Sequence, residues 1–436
     1  MFDLRPSQNQ WLMFALIVAV AAVTRLSGLE GTPPGINHDE ASNGYDAYSI
    51  LKTGQDRWGE SWPVLLEGFG RGDYRGALYA YLIVPFHAIV GPEHLILSTR
   101  LPAAIVGVLT VGGLFVLVAR TSNVATALWA AFFLAVSPWH IQLSRFGHEA
   151  TLTPACTVFA LLLISIAGLP LRDRANGPIR LRTPLLVCGA VISALSIYTY
   201  GSMRVFTPLL VLVVVYFNRR TLATAIRTRG NRGALIASVA AAIAILAPMA
   251  WLTVTEWGNV TARAWQVSVL HNSASFVDAL VTCAKQYAAH FGPSWLITDG
   301  DRYIIQSPRG FGQLNACLVP FLLLGIYFVI RARSSHPIYP ILLGWFAIHP
   351  LAAAVSEGGP HALRSACGLP VFQWIAAIGC HSIIVKLGAT GMRRRILAVA
   401  IAAALTLNAG IAGGADWNSR RVVTDTHGEA RAIINL

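Results

Sequence analysis

Residues 10–29, QWLMFALIVAVAAVTRLSGL, form an apolar run, and the polar residues 35–45, GINHDEASNGY, follow it closely. About 20 apolar residues in a helix cross the hydrocarbon core of a bilayer. The adjacent acids Asp39 and Glu40 are therefore expected at a membrane surface. Desolvation of an ionised side chain so close to a bilayer is unfavourable, and such residues usually have a specific role. The macrodipole of a following helix is one explanation for the pair. The other is a general base for a hydroxyl group.

The composition indicates an integral membrane protein. Hydrophobic residues make up 55% of the 436 residues and charged residues 12%, about half the charged fraction of a soluble domain. Apolar runs of spanning length recur along the chain, and no long polar segment remains for a soluble domain. We expect a single transmembrane domain, residues 1–436, with an outer loop at 30–100, a long outer loop at 256–312 and a short tail at 415–436.

The apolar runs and the distribution of basic residues predict the topology. Spanning helices are expected at 10–29, 101–119, 124–141, 151–169, 185–199, 205–217, 234–255, 313–330, 337–355, 367–385 and 396–414. Segment 76–91 is short, and we place it along the outer interface because the loops on the N-terminal side then collect the arginines, with Asp173 as their one acid. That pattern puts the N-terminus in the cytoplasm. Residues 39–52 predict a short surface helix that ends at Gly54.

The remaining composition argues against several other functions. The net charge of +13 does not indicate nucleic-acid binding, because most of the excess lies in short loops beside anionic lipid. The six cysteines show no CxxC spacing and are typical of small hydrophobic residues. A weak divalent-ion site at His38, Asp39 and Glu40 is conceivable, but no ligand spacing supports a metal. No cofactor is expected.

Seven arginines lie near the predicted outer ends of helices. Basic residues are normally enriched on the cytoplasmic side, so arginines on the outer side require a separate explanation. They are Arg71, Arg75, Arg100, Arg145, Arg204, Arg309 and Arg364. Ion pairs or contacts with lipid headgroups are one explanation, and a guanidinium clamp around a phosphate group is the other. In the corner 144–149, His148 and Glu149 beside Arg145 fit a local salt bridge as well as an active site. Asp299-Gly300-Asp301 is typical of a plain turn.

A series of motifs in a fixed order resembles the GT-C membrane glycosyltransferases, the type that includes protein O-mannosyltransferases and lipid A aminoarabinose transferases. The motifs are Asp39-Glu40, Tyr74-Arg75-Gly76-Ala77-Leu78-Tyr79, Arg100-Leu101-Pro102, Ser137-Pro138-Trp139-His140-Ile141 with Ser144-Arg145, Tyr198-Thr199-Tyr200 with Arg204, His290-Phe291-Gly292-Pro293 with Gly300-Asp301, and Pro360-His361-Ala362-Leu363-Arg364. The resemblance covers nearly the whole chain. It implies an all-α, GT-C-like bundle of about 11 spanning helices, with interfacial helices in the first outer loop and in the long loop before the eighth span.

The resemblance also implies a reaction: an inverting transfer of a monosaccharide from a polyprenyl-phosphate carrier to a hydroxyl acceptor. The site would face the outside of the cytoplasmic membrane of a prokaryote. Asp39 matches the family's base, and its neighbour Glu40 is expected to raise its pKa. Cations near the lipid phosphate are matched by Arg75, Arg204 and Arg364, with His361. Further candidates for substrate contact are Arg71, Tyr79, Arg100, Arg145, His148, Glu149, Asp301 and Arg309.

Two departures leave the acceptor open among lipid, glycan and protein hydroxyls. The interfacial helix opens with Arg75 where the aminoarabinose transferases have Lys-Pro, and the large extra domain of many relatives has no counterpart here. The alternative function is a transporter or flippase of lipid-linked sugars. Such a protein typically has inverted repeats and ionisable residues near the middle of the bilayer. The ionisable residues instead cluster at helix ends. A scaffold without chemistry would leave the outer arginines unexplained.

Overall fold

The computed structural model describes residues 6–68, 73–169, 171, 180–303, 306–307 and 310–386. Its first half contains α1 (Gln8–Leu26), α2 (His38–Thr53), β1 (Leu65–Glu67), β2 (Tyr74–Gly76), α3 (Leu78–Val90), α4 (Leu95–Thr121), α5 (Val124–Ala135), α6 (Pro138–Ser144), α7 (Leu152–Ala167) and α8 (Thr183–Leu195). The second half contains α9 (Met203–Phe217), α10 (Arg219–Arg227), α11 (Arg229–Thr255), α12 (Trp257–Gln266), α13 (Val269–Asn272), α14 (Phe276–Ala289), α15 (Val319–Arg331), α16 (Ile338–Ile348), α17 (Leu351–Ala354) and α18 (Leu369–Lys386).

Apolar helices dominate this architecture. Among the described residues, five helices are long and apolar enough to cross a membrane, and seven spans result if each of two bent helix pairs counts as one. Each of the ten predicted spans up to residue 385 contains at least one observed helix. The eleventh, 396–414, and the tail 415–436 lie outside the described residues. An all-α membrane protein is therefore confirmed, whereas the count of eleven spans stays a prediction.

The predicted span 124–141 differs from the structure, because it is two helices and not one. α5 and α6 meet at an angle of 61° across a short break. Pro138 lacks the backbone N–H that would continue α5, and the Ser137 side chain accepts from the backbone N–H of His140 instead. The buried Arg25 of α1 donates to the carbonyls of Leu134 and Ala135 in the last turn of α5. Proline chemistry and an arginine from another helix together fix the bend.

The core of the bundle lies around α18, in which residues 369–380 are all buried. α18 packs closely against α15 because glycines occupy the contact. A Cβ atom at Gly325 would overlap the carbonyl of Ile375, and one at Gly379 would overlap the carbonyl of Phe321. Small residues that allow backbones to approach in this way are typical of helix pairs in membranes.

The first outer loop forms the helices that the sequence predicts. α2 covers the predicted segment 39–52 and ends at Gly54, which is left-handed at φ 72°. α3 lies within the predicted segment 76–91, and the antiparallel β1–β2 ribbon, which ends at Gly76, precedes it. The position of these helices at a membrane surface stays a prediction. Their common consequence is that the start of α2, with its two acids, has a defined place in the fold.

Candidate active site

The start of α2 is fixed by a reciprocal cap. The Asn37 side chain accepts from the backbone N–H of Asp39 at 2.8 Å, and the Glu40 carboxylate accepts from the backbone N–H of Asn37 at 3.0 Å. Such a capping box satisfies two helix N–H groups that otherwise lack partners. The cap directs the two neighbouring carboxylates differently, because Glu40 turns back toward the backbone while Asp39 remains half exposed.

Glu40, one of the two predicted catalytic acids, lies in a buried ion pair. Its carboxylate accepts from Arg100 at 2.7 and 2.9 Å and from the backbone N–H of Gly147 at 2.9 Å. Both side chains are 1% exposed. Together with the Asn37 contact, these bonds involve both carboxylate oxygens. The structure therefore favours a positioning role for Glu40. It also shows that Arg100 forms an ion pair with Glu40, which was the alternative to substrate contact for this arginine.

Two of the outer arginines bind the backbone of the segment that leads into α2. Arg100 donates to the carbonyls of Leu29, Pro33 and Gly35. Arg145 donates to the carbonyls of Thr24, Ser27 and Thr32 at 2.8–2.9 Å. This segment is largely irregular, so its carbonyls need partners from elsewhere in the fold. Neither arginine lines the cavity described below, and both contribute to the position of Asp39 indirectly.

Asp39 faces a polar cavity of about 320 Å³. His148, from the second outer corner, lies with its Nε2 atom 3.6 Å from one Asp39 oxygen, and His38 Nδ1 lies 3.8 Å from the other. Burial disfavours ionisation of Asp39, but the contacts with His148 and His38 and the charge of Arg75 outweigh it, so its pKa lies below its usual range. The expectation of a raised pKa was wrong, because Glu40 is already neutralised by Arg100 and imidazoles surround Asp39.

His148 completes the contact with Asp39. Its Nδ1 atom accepts from the backbone N–H of Ala150 at 3.0 Å, so in the neutral ring the proton lies on Nε2, toward Asp39. Burial lowers the pKa of His148, but Glu149 and Asp39 outweigh that effect and raise it. Glu149 itself is buried, accepts from Asn43 at 3.1 Å, and does not line the cavity. The predicted corner therefore supplies His148 and Phe146 to the cavity wall, and Glu149 supports the wall from behind.

Another part of the cavity wall comes from the corner 356–366. Arg364 and His361 both line the cavity, with Tyr200 and Tyr303 beside them. Arg364 donates to the carbonyl of Glu357 at 2.9 Å with one nitrogen, and it also contacts the Tyr200 hydroxyl, whose pKa burial raises to about 12. Burial and the charge of Arg364 lower the pKa of His361. The wall of one cavity thus carries both a carboxylate and a guanidinium.

Asp301 supports this corner from the long loop. Its carboxylate accepts from the backbone N–H groups of Ala362 at 2.6 Å and Tyr303 at 2.8 Å. Burial raises the pKa of Asp301 to about 6. Gly300 before it is left-handed, at φ 69°, as the predicted turn requires. Asp301 is a support for cavity residues and not a part of the cavity wall.

The other predicted residues divide into those near the cavity and those elsewhere. Arg75 pairs with the buried Asp46 at 2.8 Å, close enough to Asp39 to affect its pKa. Arg204 donates to the carbonyl of Val260 at 3.3 Å, and Tyr79 is fully buried with its hydroxyl on the carbonyl of Thr99. None of these three lines the cavity. The predicted residues Arg71 and Arg309 lie outside the described residues.

Sequence reasoning missed one cation of the cavity. Arg263 of α12 lines it and lies 3.6 Å from Asp73, with both side chains about half exposed. Arg263 is another cation in an outer loop, so the signal that selected the seven outer arginines could have included it. Three buried polar atoms of lining residues have no hydrogen-bond partner within the described part of the chain: Trp139 Nε1, Gln306 Oε1 and His361 Nδ1. They are donors or acceptors available to a polar ligand.

A metal ion has few ligands at this place. In the described part of the chain, no group of three or more His, Cys, Asp or Glu side chains is arranged to hold one. On the cavity wall, the Glu40 carboxylate is already bound by Arg100, which leaves Asp39, His148 and His361 as possible ligands. Metal dependence stays open as a prediction.

A second cavity lies between helices close to the first. It has a volume of about 430 Å³ and is lined by α7, α8, α9 and α11, with Leu161, Ala194, Phe206 and Leu246 among its side chains. Its lining also includes Ile197 and Met203, each three residues from Tyr200 of the polar cavity. An apolar cavity beside a polar one can take a molecule with a polar head and an apolar tail.

Comparisons with known proteins agree with this architecture. No family model matches the sequence, and no curated protein does. Among solved structures, the apo oligosaccharyltransferase of Archaeoglobus fulgidus gives a TM-score of 0.60 at 15% identity, over 94% of this chain and 56% of that one. The archaeal oligosaccharyltransferase AglB of Archaeoglobus fulgidus, in complex with an inhibitory peptide and a dolichol-phosphate, gives 0.59 at 15% identity, over 95% and 56%.

ArnT from Cupriavidus metallidurans bound to undecaprenyl phosphate gives 0.56 at 14% identity, over 95% of this chain and 75% of that one. The chain spans a little over half the length of the oligosaccharyltransferase structures. These neighbours are GT-C glycosyltransferases. The resemblance predicted from the motifs is therefore confirmed, and what the comparison establishes for this chain is the GT-C fold.

Proposed function

We propose that this chain is a membrane glycosyltransferase that moves a monosaccharide from a polyprenyl-phosphate carrier to a hydroxyl group. One observation carries the proposal: Asp39 and Arg364 lie on the walls of one polar cavity, next to an apolar cavity between helices. The neighbouring folds support it, because ArnT was solved with undecaprenyl phosphate and AglB with a dolichol-phosphate. The transporter alternative is not favoured, since these neighbours are transferases.

The donor would divide between the two cavities. Its isoprenoid tail would lie among α7, α8, α9 and α11, and its phosphate would lie where Ile197 and Met203 approach Tyr200. Of the two arginines on the polar wall, Arg364 is the one that contacts Tyr200, and a guanidinium binds phosphate oxygens in bidentate geometry. Arg75 would act through its charge, because Asp46 already binds it.

The sugar would occupy the polar cavity between Arg364 and Asp39. The Asp39 carboxylate accepts the proton of the acceptor hydroxyl while that oxygen forms its bond to the anomeric carbon. The bond from the anomeric carbon to the phosphate oxygen breaks at the same time, and its electron pair leaves with the polyprenyl phosphate. A single displacement of this kind inverts the anomeric centre. A phosphate is a good leaving group, so Arg364 stabilises its charge and no general acid is needed.

The lowered pKa of Asp39 affects this step. At physiological pH the carboxylate is always ionised, but it is a weak base and takes the proton only as the acceptor oxygen loses electron density to the new bond. His148 would orient the carboxylate through its Nε2–H group. Trp139 Nε1 and His361 Nδ1 would bind sugar or acceptor hydroxyls, which would satisfy two atoms without protein partners.

Purified protein in detergent tests the proposal with synthetic polyprenyl-phosphate mannose, glucose, aminoarabinose and arabinofuranose, with envelope extract from the source cells as acceptor. We expect release of polyprenyl phosphate from one of the four. Asp39→Asn should lower turnover by ~10²–10⁴-fold without weakening donor binding. Glu60→Gln, an exposed acid in the same outer loop, is the control. Release at the wild-type rate by Asp39→Asn would remove Asp39 as the base, and no release from any donor would contradict the function.

A further inference from the structure

The end of the bundle away from the polar cavity carries a basic surface, and its arginines form no ion pair with the described residues. α9 begins next to Tyr200 and runs away from the cavity to Phe217, where the chain turns by 74° into α10. α10 and the first turn of α11 carry five exposed arginines: Arg219, Arg220, Arg227, Arg229 and Arg232. The turn thus separates a short basic helix from the apolar helix before it.

The fold brings a second loop to the same place. The backbone N–H of Leu181 donates to the Asn231 side chain at 2.8 Å. Leu181 and Leu186 also pack with Ala225 of α10 and Ala234 of α11 in a small buried cluster. The exposed residues Arg180 and Arg182 flank Leu181. We name the resulting surface the basic patch, and its residues are Arg180, Arg182, Arg219, Arg220, Arg227, Arg229 and Arg232.

Among the described residues, no acid forms an ion pair with the basic patch. The sequence from Arg174 to Thr255 contains neither Asp nor Glu, and the ion pairs of the described residues involve none of the seven arginines. Arg219 bonds the carbonyl of Tyr216 and lies over its ring. Seven like charges in proximity repel one another unless an anion lies among them. The patch therefore fits an anionic ligand.

The surroundings of the patch indicate which anion. Ile226 on α10 is 54% exposed, and Tyr216 and Phe217 at the bend are also exposed. An amphipathic helix with arginines on its polar face and exposed apolar side chains lies in the plane of a membrane interface, and it prefers anionic lipid. Aromatic side chains at such a level are typical of membrane–water boundaries.

We propose that the basic patch is a binding site for the phosphate headgroup of an anionic phospholipid, in the leaflet opposite the polar cavity. The general bias of basic residues toward one membrane face explains the sign of the charge. It does not explain why two loops converge through the Leu181–Asn231 bond, or why α10 is set across the bundle. Arg331 and Arg333, also exposed at the end of α15, provide a comparison without this convergence.

The test uses the full-length protein in nanodiscs of neutral phosphatidylcholine, titrated with fluorescent phosphatidylglycerol. We expect saturable binding that Arg227→Gln/Arg229→Gln weakens by roughly 30-fold, since one basic side chain near anionic lipid contributes about a fivefold change in affinity. The control, Arg331→Gln/Arg333→Gln, removes the same charge and should change the affinity less than about twofold, with equal thermal unfolding of both variants showing intact folds.

Three outcomes would overturn the proposal. Equal loss in both double variants would reduce the effect to overall charge. Equal affinity for fluorescent phosphatidylcholine would remove the requirement for an anionic headgroup. Displacement of the lipid by millimolar inorganic phosphate would assign the patch to a soluble phosphate compound. The polar cavity takes no part in the assay, so the result is independent of the proposed glycosyl transfer.

Discussion

Glu40→Gln separates a positioning role for Glu40 from a catalytic one. The substitution removes the negative charge opposite Arg100 in a pair whose side chains are 1% exposed. Removing one partner of such a buried pair costs ~3–5 kcal/mol, because the remaining charge is left uncompensated. Arg100 keeps three backbone carbonyls as acceptors, so we expect a value near the lower end. In either orientation the glutamine amide nitrogen would face Arg100 and one backbone N–H group, because each carboxylate oxygen now accepts from both kinds of donor.

The free energy of unfolding, measured by titration of detergent micelles with dodecyl sulfate, should therefore fall by ~3 kcal/mol. Glu30→Gln is the matched control, because Glu30 and His94 form a half-exposed pair at 3.0 Å, and its unfolding should be unchanged. Glu40→Gln/Arg100→Gln should be more stable than the sum of the single variants indicates. Wild-type stability of Glu40→Gln with complete loss of turnover would refute the reasoning and make Glu40 the base.

The remaining predictions address the donor and the membrane orientation. Arg364→Ala should weaken binding of a polyprenyl-phosphonate sugar by ~1.5–3 kcal/mol, with partial rescue by lysine, whereas Arg229→Ala should not; equal binding by both would exclude the clamp. Ala194→Phe, which fills the apolar cavity, should weaken binding of the same donor analogue by ~1–3 kcal/mol, and unchanged affinity would place the isoprenoid tail elsewhere. A cysteine at Glu67 should react with an impermeant thiol reagent in intact cells, and one at Asn176 only after lysis; labelling of Asn176 in intact cells would reverse the topology.

The fold was predictable because its determinants are local. Apolar runs of spanning length gave the helices within a few residues, and the N-x-x-E pattern at Asn37–Glu40 together with Gly54 bounds α2. The bend between α5 and α6 was missed, although Ser137-Pro138 is a helix-start signal in the middle of an apolar run. An unbroken apolar composition on both sides concealed it.

The site was predictable only in part because its contacts are between distant residues. Asp39 was found from its position after the first span. Which of the two acids remains available depends on Arg100, 60 residues further along the chain. The direction in which the Asp39 pKa shifts depends on His148. No sequence pattern near Asp39 indicates that His148 lies beside it. Local sequence can name candidates for a site, but it cannot show which of them are already bound by the protein.

The outer arginines illustrate this point physically. A guanidinium has five N–H donors, which suit the carbonyls of an irregular segment as well as the oxygens of a phosphate. Arg100 and Arg145 together bind six carbonyls and are nearly inaccessible. Arg364 is the one of the five described outer arginines that lines the polar cavity. An arginine on the predicted outer side, against the bias of basic residues toward the inner loops, therefore indicates either a ligand-binding site or a backbone segment that has to be rigid. The segment before α2 has to be rigid because it sets the position of Asp39, and a base displaced by about 1 Å loses much of its catalytic effect.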